Sequence, residues 1–156
     1  MFSTNPTPLD LVFWLGRIPV RVIPTFWLMA FLLGRFQEGL DFIFIWMLCV
    51  FFSILIHELG HALVAEAFGY ESEIVLHHFG GEARFNPGYR LPAYRSLLIS
   101  LAGPFAQLAL AFVLIVVQIG IAVAQTETHE YLQATMIDLL VINIVWPIFN
   151  LFPLLP

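Results

Sequence analysis

An apolar segment in the first half of the chain, residues 41–68, carries His57, Glu58 and His61 within five consecutive positions. As a helix of about 28 residues it would measure roughly 42 Å, which exceeds the ~30 Å hydrocarbon core of a bilayer. Gly69 follows as a natural C-terminal stop. The segment therefore predicts a membrane-spanning helix, with the three ionisable groups in the half of the membrane nearer Gly69.

The spacing of this motif is typical of a zinc site. On a helix, His57 and His61 project from the same face, so both imidazoles can reach one Zn²⁺ ion at about 2.0–2.1 Å. Glu58 is rotated by roughly 100°, which suits a carboxylate that stays off the metal and takes a proton from the attacking water. The alternative is a chance pentapeptide with two core histidines and a surface glutamate. Because unpaired ionisable groups are costly at membrane depth, we favour the metal site.

The composition is typical of an integral membrane protein. Hydrophobic residues make up 60% of the 156 positions, charged residues 11%, lysine is absent and the mean hydropathy is +0.91. A soluble domain of this size could not bury so much apolar surface. The net charge of -5 lies in short loops without a basic run, which argues against a nucleic-acid partner. Cys49 is the only cysteine, so an intrachain disulfide is excluded.

Two later segments are also predicted to span the membrane. Residues 97–124 contain no charged residue and form the clearest membrane helix. Within it, Pro104 should bend the helix or free a carbonyl, while Ala102 and Ala106 permit close approach by a neighbour. Residues 132–152 form the last span.

The N-terminal region has two interpretations. Residues 11–22 suit an amphipathic or extended segment at the interface, with Arg17 and Arg21 facing headgroups or water. Residues 25–36 are apolar but short for a span. If residues 18–22 also contribute, this is a first span, and otherwise it is re-entrant; we favour a span. The predicted fold class is an all-α polytopic membrane protein with about four transmembrane helices and a small β-hairpin after the catalytic helix.

The hairpin is predicted from two short β-like runs within residues 73–85, joined through Gly80 and Gly81, which accept the positive φ of a tight turn. Adjacent strand residues point to opposite faces, so at most one of His77 and His78 could face a metal, and we favour neither. The unpaired edge of the hairpin could bind an extended substrate, which makes Gly80 and Gly81 substrate-binding candidates. The alternative is a hairpin that only packs against the membrane face.

These features resemble the site-2 proteases, intramembrane zinc metalloproteases that cut transmembrane segments of their substrates. The likeness covers most of the chain and rests on four motifs in order: HELGH at residues 57–61, FGG at 79–81, LAGP at 101–104 and NLFPLLP at 150–156. Gln107 stands where many members have Asn after Gly-Pro. The last motif is similar to the start of the family's Asn-x-x-Pro-x-x-Pro-x-Asp-Gly stretch, whose Asp is the third zinc ligand.

The resemblance implies a Zn²⁺ cofactor held by His57, His61 and a carboxylate, with Glu58 as the catalytic base. It also implies membrane-embedded protein substrates that are cut within or near their transmembrane segments. Asn150 has the right depth for the site, but a neutral amide is a weak zinc ligand, so we expect it to hydrogen-bond the substrate or a ligand.

The third zinc ligand is not expected within the given sequence. Asp138 lies towards the opposite side of the bilayer from His57, and Glu66 is more than a turn beyond His61 on the same rigid helix. Residues 1–156 are therefore expected to be a single integral membrane metalloprotease domain, truncated before the ligand, with the family's Asp following shortly after the last residue.

Two other function classes are alternatives to a protease. One is a proteolytically inactive zinc-binding membrane protein, a transporter or a scaffold, although transporters usually need polar residues along a path through several helices. Another is a soluble zincin with an apolar core. Loss of function on mutation of Glu58 separates a protease from a transporter or scaffold.

The arginines predict the orientation in the membrane. Five of them fall on one side of the four-span arrangement, and Arg35 falls on the other side with Glu127 and Glu130. By the positive-inside rule, the N-terminus, the hairpin and the C-terminal end are cytoplasmic. We therefore expect the active site in the cytoplasmic half of the cell (inner) membrane. The five arginines are Arg17, Arg21, Arg84, Arg90 and Arg95.

Overall fold

The protein consists of a bundle of helices with a four-stranded sheet packed beside it. The computed structural model describes residues 7–34, 39–88 and 90–151. In chain order its elements are β1 (Leu11–Leu15), β2 (Ile18–Val22), α1 (Pro24–Leu32), α2 (Leu40–Ala67), β3 (Ser72–His77), β4 (Gly80–Phe85), α3 (Ala93–Val123) and α4 (Glu130–Leu151).

Three helices of the described ranges, α2, α3 and α4, are long and apolar enough to cross a membrane. They contain 28, 31 and 22 residues. Each coincides with a segment predicted from the sequence to span, because a long and mostly apolar run is stable in lipid as a helix, which pairs its own backbone groups. The protein is an integral membrane protein whose fold is mostly helical with a small β-sheet.

The predicted first helical span is wrong in its first part. Residues 18–22 form strand β2, and α1 has only 9 residues, from Pro24 to Leu32. Residues 35 and 36 lie outside the described ranges. β-Branched Ile18, Val20 and Val22 favour the extended backbone, whereas Pro24 opens the helix at its first turn, where its missing N–H costs nothing. The count of about four transmembrane helices is therefore not confirmed.

Helix α1 runs antiparallel to α2. The Phe26 and Phe51 rings are 6.2 Å apart, and further along α1 the Ala30 carbonyl accepts from the Trp46 indole N–H at 3.1 Å. Helix α1 therefore lies along the first half of α2.

The sheet has the order β1-β2-β3-β4, and its central pair, β2 and β3, is parallel. Parallel neighbours need a long crossover, which α1 and α2 supply here. The sequence predicted the β3–β4 hairpin and an extended N-terminal segment, but not that both belong to one sheet. This pairing places the N-terminal hairpin, which consists of β1 and β2, at the same end of the bundle as the C-terminal end of α2.

Two expectations about sheet residues need correction. Gly80 and Gly81 are not the hairpin turn, which consists of His78 and Phe79; they are the first two residues of β4. Arg17 is exposed as expected, but Arg21 is only 8% exposed, and its Nε lies 2.7 Å from the Asp10 carboxylate. Buried charges require such a partner, so Arg21 holds the N-terminal hairpin together rather than facing headgroups.

The core lies between the sheet and the second half of α2. Its fully buried side chains include Val20, Val22, Ile74 and Leu76 from the sheet, with Ala62 from α2. The β3–β4 hairpin is thereby held against the turns of α2 that carry the ionisable motif.

Helices α2 and α3 approach closely at Gly60. A Cβ at this position would lie 2.6 Å from the Ala102 carbonyl oxygen and 3.0 Å from the Ala106 side chain. The prediction that Ala102 and Ala106 permit close approach is therefore confirmed, since small residues on both helices bring the backbones together.

Candidate metal centre and active site

The two histidines of the motif meet at the α2–α3 contact. His57 is 4% exposed, and its Nε2 lies 3.0 Å from the Nε2 of His61. The structure thus brings together two of the predicted metal ligands, as their spacing of four residues on one helix face requires.

Each histidine ring is oriented through its other nitrogen by helix α3. His57 Nδ1 lies 2.9 Å from the Gln107 side-chain oxygen, and His61 Nδ1 lies 2.6 Å from the Ile99 carbonyl oxygen. The Gly103 N–H is farther from His61 Nδ1, at 3.3 Å. Since both close partners are oxygen acceptors, both Nδ1 atoms carry the proton.

This tautomer leaves two nitrogen lone pairs facing each other. With the protons on Nδ1, both Nε2 atoms are acceptors, and neither has a hydrogen to share across the 3.0 Å gap. Two converging imidazole lone pairs, each with its distal N–H bonded to an oxygen, are the arrangement that zinc-binding histidines adopt. The residues present therefore fit a zinc ion.

Gln107 connects His57 to the rest of the bundle. It is fully buried, and while its oxygen faces His57 its Nε2 donates to the Ser53 carbonyl at 3.2 Å. The Ser53 hydroxyl in turn accepts a 2.8 Å hydrogen bond from Asn143 of α4. The sequence motifs did not predict this role of Gln107, although a polar residue inside an uncharged span is a signal of function.

Glu58 projects away from the histidine pair towards strand β4. It is 5% exposed and accepts from the backbone N–H of Ala83. A Cβ at Gly81 would overlap the Glu58 side chain, and one at Gly80 would lie 2.9 Å from the Trp146 ring. These close approaches explain why the two glycines stand in the strand rather than in the turn.

A cavity of about 300 Å³ opens beside the two histidines. Asn150, near the end of α4, lines it, and the Asn150 amide nitrogen lies 3.5 Å from His57 Nε2. The cavity is also bounded by β4 and by one face of α3, through Ala83, Phe85, Ser96, Ile99, Ser100 and Pro104. The structure thus brings Asn150 to the histidines, as its depth predicted, while Gly80 and Gly81 lie nearer Trp146 and Glu58.

Among the described residues, no group of three His, Cys, Asp or Glu side chains converges as a metal site. Asp138 is buried on α4 near Cys49, which lies about two helical turns before His57 on α2. Glu66 lines a separate cavity at the end of α2. Within these ranges the histidine pair therefore has no carboxylate ligand beside it.

Replacing Gln107 by Leu removes the acceptor for His57 Nδ1. We expect zinc affinity to fall by about 10- to 100-fold, the usual loss when the partner of a metal-binding histidine is removed. Chelator competition on the purified protein measures the dissociation constant. Gln118→Leu, on an exposed part of the same helix, is the matched control and should leave the constant unchanged. Equal zinc affinities for both variants would exclude a role of Gln107 in orienting His57.

Comparison with known proteins adds three sequence relatives. No protein-family model matches the chain. A protein of Synechocystis sp. named as a zinc metalloprotease is 35% identical over 112 residues, which are 70% of this chain and 27% of the relative. A zinc metalloprotease of Methanocaldococcus jannaschii is 31% identical over 108 residues, 69% of this chain and 30% of the relative. Stage IV sporulation protein FB of Bacillus subtilis is 27% identical over 142 residues, 86% of this chain and 46% of the relative.

The fold has a solved counterpart. The site-2 protease from Methanocaldococcus jannaschii matches 94% of this chain with a TM-score of 0.63 and 26% identity, over 66% of its own chain. The chain spans less than half the length of the curated relatives it matches. Sequence relatives named as zinc metalloproteases and a solved site-2 protease structure agree with the motifs and with the histidine geometry, and together they support the site-2 protease family for this chain.

Proposed function

We propose that this chain forms a single membrane domain of an intramembrane zinc metalloprotease that hydrolyses peptide bonds within or near transmembrane segments of membrane proteins. The observation that carries the proposal is the pair of His57 and His61 Nε2 atoms, 3.0 Å apart, on a membrane-length helix with Glu58 beside them. A buried carboxylate next to a histidine pair is the set of groups that metal-assisted hydrolysis uses.

In this proposal His57 and His61 hold the zinc ion and Glu58 moves the proton. Zinc, when bound, lowers the pKa of a coordinated water towards ~7 and polarises the scissile carbonyl. Glu58 accepts the proton from the attacking water and passes it to the leaving amine. Its approach to the Ala83 N–H directs the carboxylate towards β4, where the substrate would lie.

A third protein ligand completes the proposed site. Two histidines leave zinc one ligand short of the usual three in a catalytic site. Asn150 is close enough to His57 to contact a bound substrate but is a neutral amide, so we assign it to substrate hydrogen bonding. A carboxylate from outside the described residues, as the family pattern implies, would supply the missing ligand.

The proposed substrate must be extended before it is cut. A membrane helix pairs its backbone groups internally, so its carbonyls become accessible only when it unwinds. Strand β4 is an edge strand of the sheet and borders the cavity, so it can pair with an unwound segment. Gly80 and Gly81 support this strand by making room for Trp146 and Glu58.

Glu58→Gln should abolish proteolysis without removing zinc. Loss of a general base lowers the rate by about 10²- to 10⁴-fold, and glutamine preserves the size of the side chain. Cleavage of a model transmembrane substrate and the zinc content of the same preparation are the two measurements. Glu66→Gln, on the same helix but away from the histidines, is the control and should retain activity. Normal cleavage by Glu58→Gln would exclude Glu58 as the general base, whereas zinc binding without cleavage by the parent would favour the zinc-binding transporter or scaffold instead.

Phe85→Pro should lower cleavage while leaving zinc content unchanged. Alternate residues of a strand direct their N–H groups to the same edge, and since the Ala83 N–H faces Glu58 rather than β3, the Phe85 N–H also points outward. Proline therefore removes an outward donor that Glu58 does not use, without breaking a bond to β3. Phe85→Ala also removes the ring but retains the N–H, and is the matched control. If a correctly inserted Phe85→Pro protein cleaves as well as Phe85→Ala does, β4 does not present the substrate by edge pairing.

We also propose that the sheet end of the bundle is cytoplasmic. Arg17, Arg21 and Arg84 belong to the sheet, whereas Tyr131 at the start of α4 contacts Asp41 at the opposite end of α2. The positive-inside rule then assigns the sheet, and with it the histidine pair, to the cytoplasmic side of the cell (inner) membrane.

Thr128→Cys tests this orientation. In a Cys49→Ala background the new thiol is unique, because Cys49 is the only natural cysteine. Thr128 lies in the α3–α4 connection, away from the sheet, so a membrane-impermeant maleimide added outside intact cells should label it. Labelling from the cytoplasmic side alone would show that the orientation is the opposite of the one proposed.

A further inference from the structure

We propose that the face of α3 that carries Ser96, Ser100 and the free carbonyl of Ser100 is a second substrate-binding wall, opposite strand β4. Its ligand is the main chain of an unwound transmembrane segment. This inference rests on the proposed function, since it concerns how the substrate of that same site is held.

The wall is a polar strip on a helix that is otherwise apolar. Ser96, Ser100 and Pro104 are four residues apart and therefore lie along one side of α3. All three line the cavity that also contains His57 and His61. Both serines are exposed, so their hydroxyls are available in the cavity.

Pro104 adds a backbone acceptor to this strip. A proline inside a helix has no N–H for the carbonyl four residues before it, and that carbonyl belongs to Ser100. The preceding carbonyl, of Ile99, accepts from His61 Nδ1 at 2.6 Å. Two successive carbonyls of α3 are thus available to the site, one for the metal-binding histidine and one for another donor.

An extended peptide in the cavity needs partners on both of its edges. Its N–H and C=O groups alternate between the two sides, and β4, through Ala83 and Phe85, can pair with only one of them. Unpaired backbone groups are costly at membrane depth. The Ser100 carbonyl can accept from a substrate N–H, and the two hydroxyls can donate to substrate carbonyls.

This arrangement determines the selectivity of the wall. Its partners on the substrate are backbone groups, so it favours segments that unwind easily and makes little demand on their side chains. The histidine pair lines the cavity between the two walls, which places a carbonyl of the held segment beside it.

The test uses the full chain in lipid nanodiscs, loaded with zinc, in a Glu58→Gln background that binds without turnover. The probe is a fluorescent Leu/Ala transmembrane peptide of about 20 residues with a central Asn-Gly pair that unwinds readily. Two variants remove different parts of the wall. The double variant Ser96→Ala with Ser100→Ala deletes both hydroxyls, and Pro104→Ala restores an N–H that pairs with the Ser100 carbonyl.

We expect each variant to weaken peptide binding by about 10-fold, the usual size of one or two lost hydrogen bonds, with zinc affinity unchanged. Gln118→Ala on the same helix is the control and should bind normally. A peptide in which one amide is replaced by an ester lacks the donor for the Ser100 carbonyl. The parent should bind this ester peptide less tightly than the amide peptide. The Pro104→Ala variant should bind the two peptides equally.

If both variants bind the peptide with affinities within about twofold of the parent's affinity, the proposal of a second wall is overturned. If the Glu58-intact protein still cleaves the peptide in that case, the proposed function survives and only this inference fails. If the parent neither binds nor cleaves the peptide, both fail together. Loss of zinc affinity in parallel with peptide affinity would also contradict the wall, because the two variants would then act through the metal centre.

Discussion

The close contact between α2 and α3 is the constraint on which the candidate active site depends. A Cβ at Gly60 would stand 2.6 Å from the Ala102 carbonyl, and a Cβ at Gly103 would overlap the His61 ring. Membrane helices gain little from apolar burial against each other, so small residues that bring backbones into contact decide where they pack. Only at this separation can a backbone carbonyl of α3 reach the ring nitrogen of His61.

The sheet provides the other side of the site, and its position follows from one parallel strand pair. β2 joins β3 through Val20 opposite Ile74 and Val22 opposite Leu76, four side chains that are fully buried. Their burial anchors the hairpin, and β4 then approaches α2 so closely that Gly81 leaves room for Glu58. The histidine-bearing face and the Glu58 carboxylate of α2 are therefore supported by different elements, α3 for the histidines and β4 for Glu58.

Several polar groups at membrane depth are paired within the bundle, and others are directed into one cavity. Gln107 bridges His57 and the Ser53 carbonyl, and Asn143 bonds the Ser53 hydroxyl. These pairs satisfy groups that lipid cannot, and they tie three helices together at one level. The groups that face the cavity include the two Nε2 lone pairs, an amide of α4 and the hydroxyls of Ser96 and Ser100. Pro104 likewise leaves the Ser100 carbonyl of α3 available as an acceptor on the cavity side.

The sequence alone determined the long helices and the chemistry of the motif. α2, α3 and α4 could be predicted because a long and mostly apolar run forms a helix in lipid, and the histidine pair because a spacing of four residues fixes a shared face. Tertiary structure decided the rest. Residues 18–22 became a strand through pairing with β3, and Gly80 and Gly81 entered β4 because Trp146 and Glu58 occupy the space of a side chain. The partner of His57, Gln107, emerged only from the α2–α3 contact. Such contacts join residues far apart in the chain, and local periodicity carries no information about them.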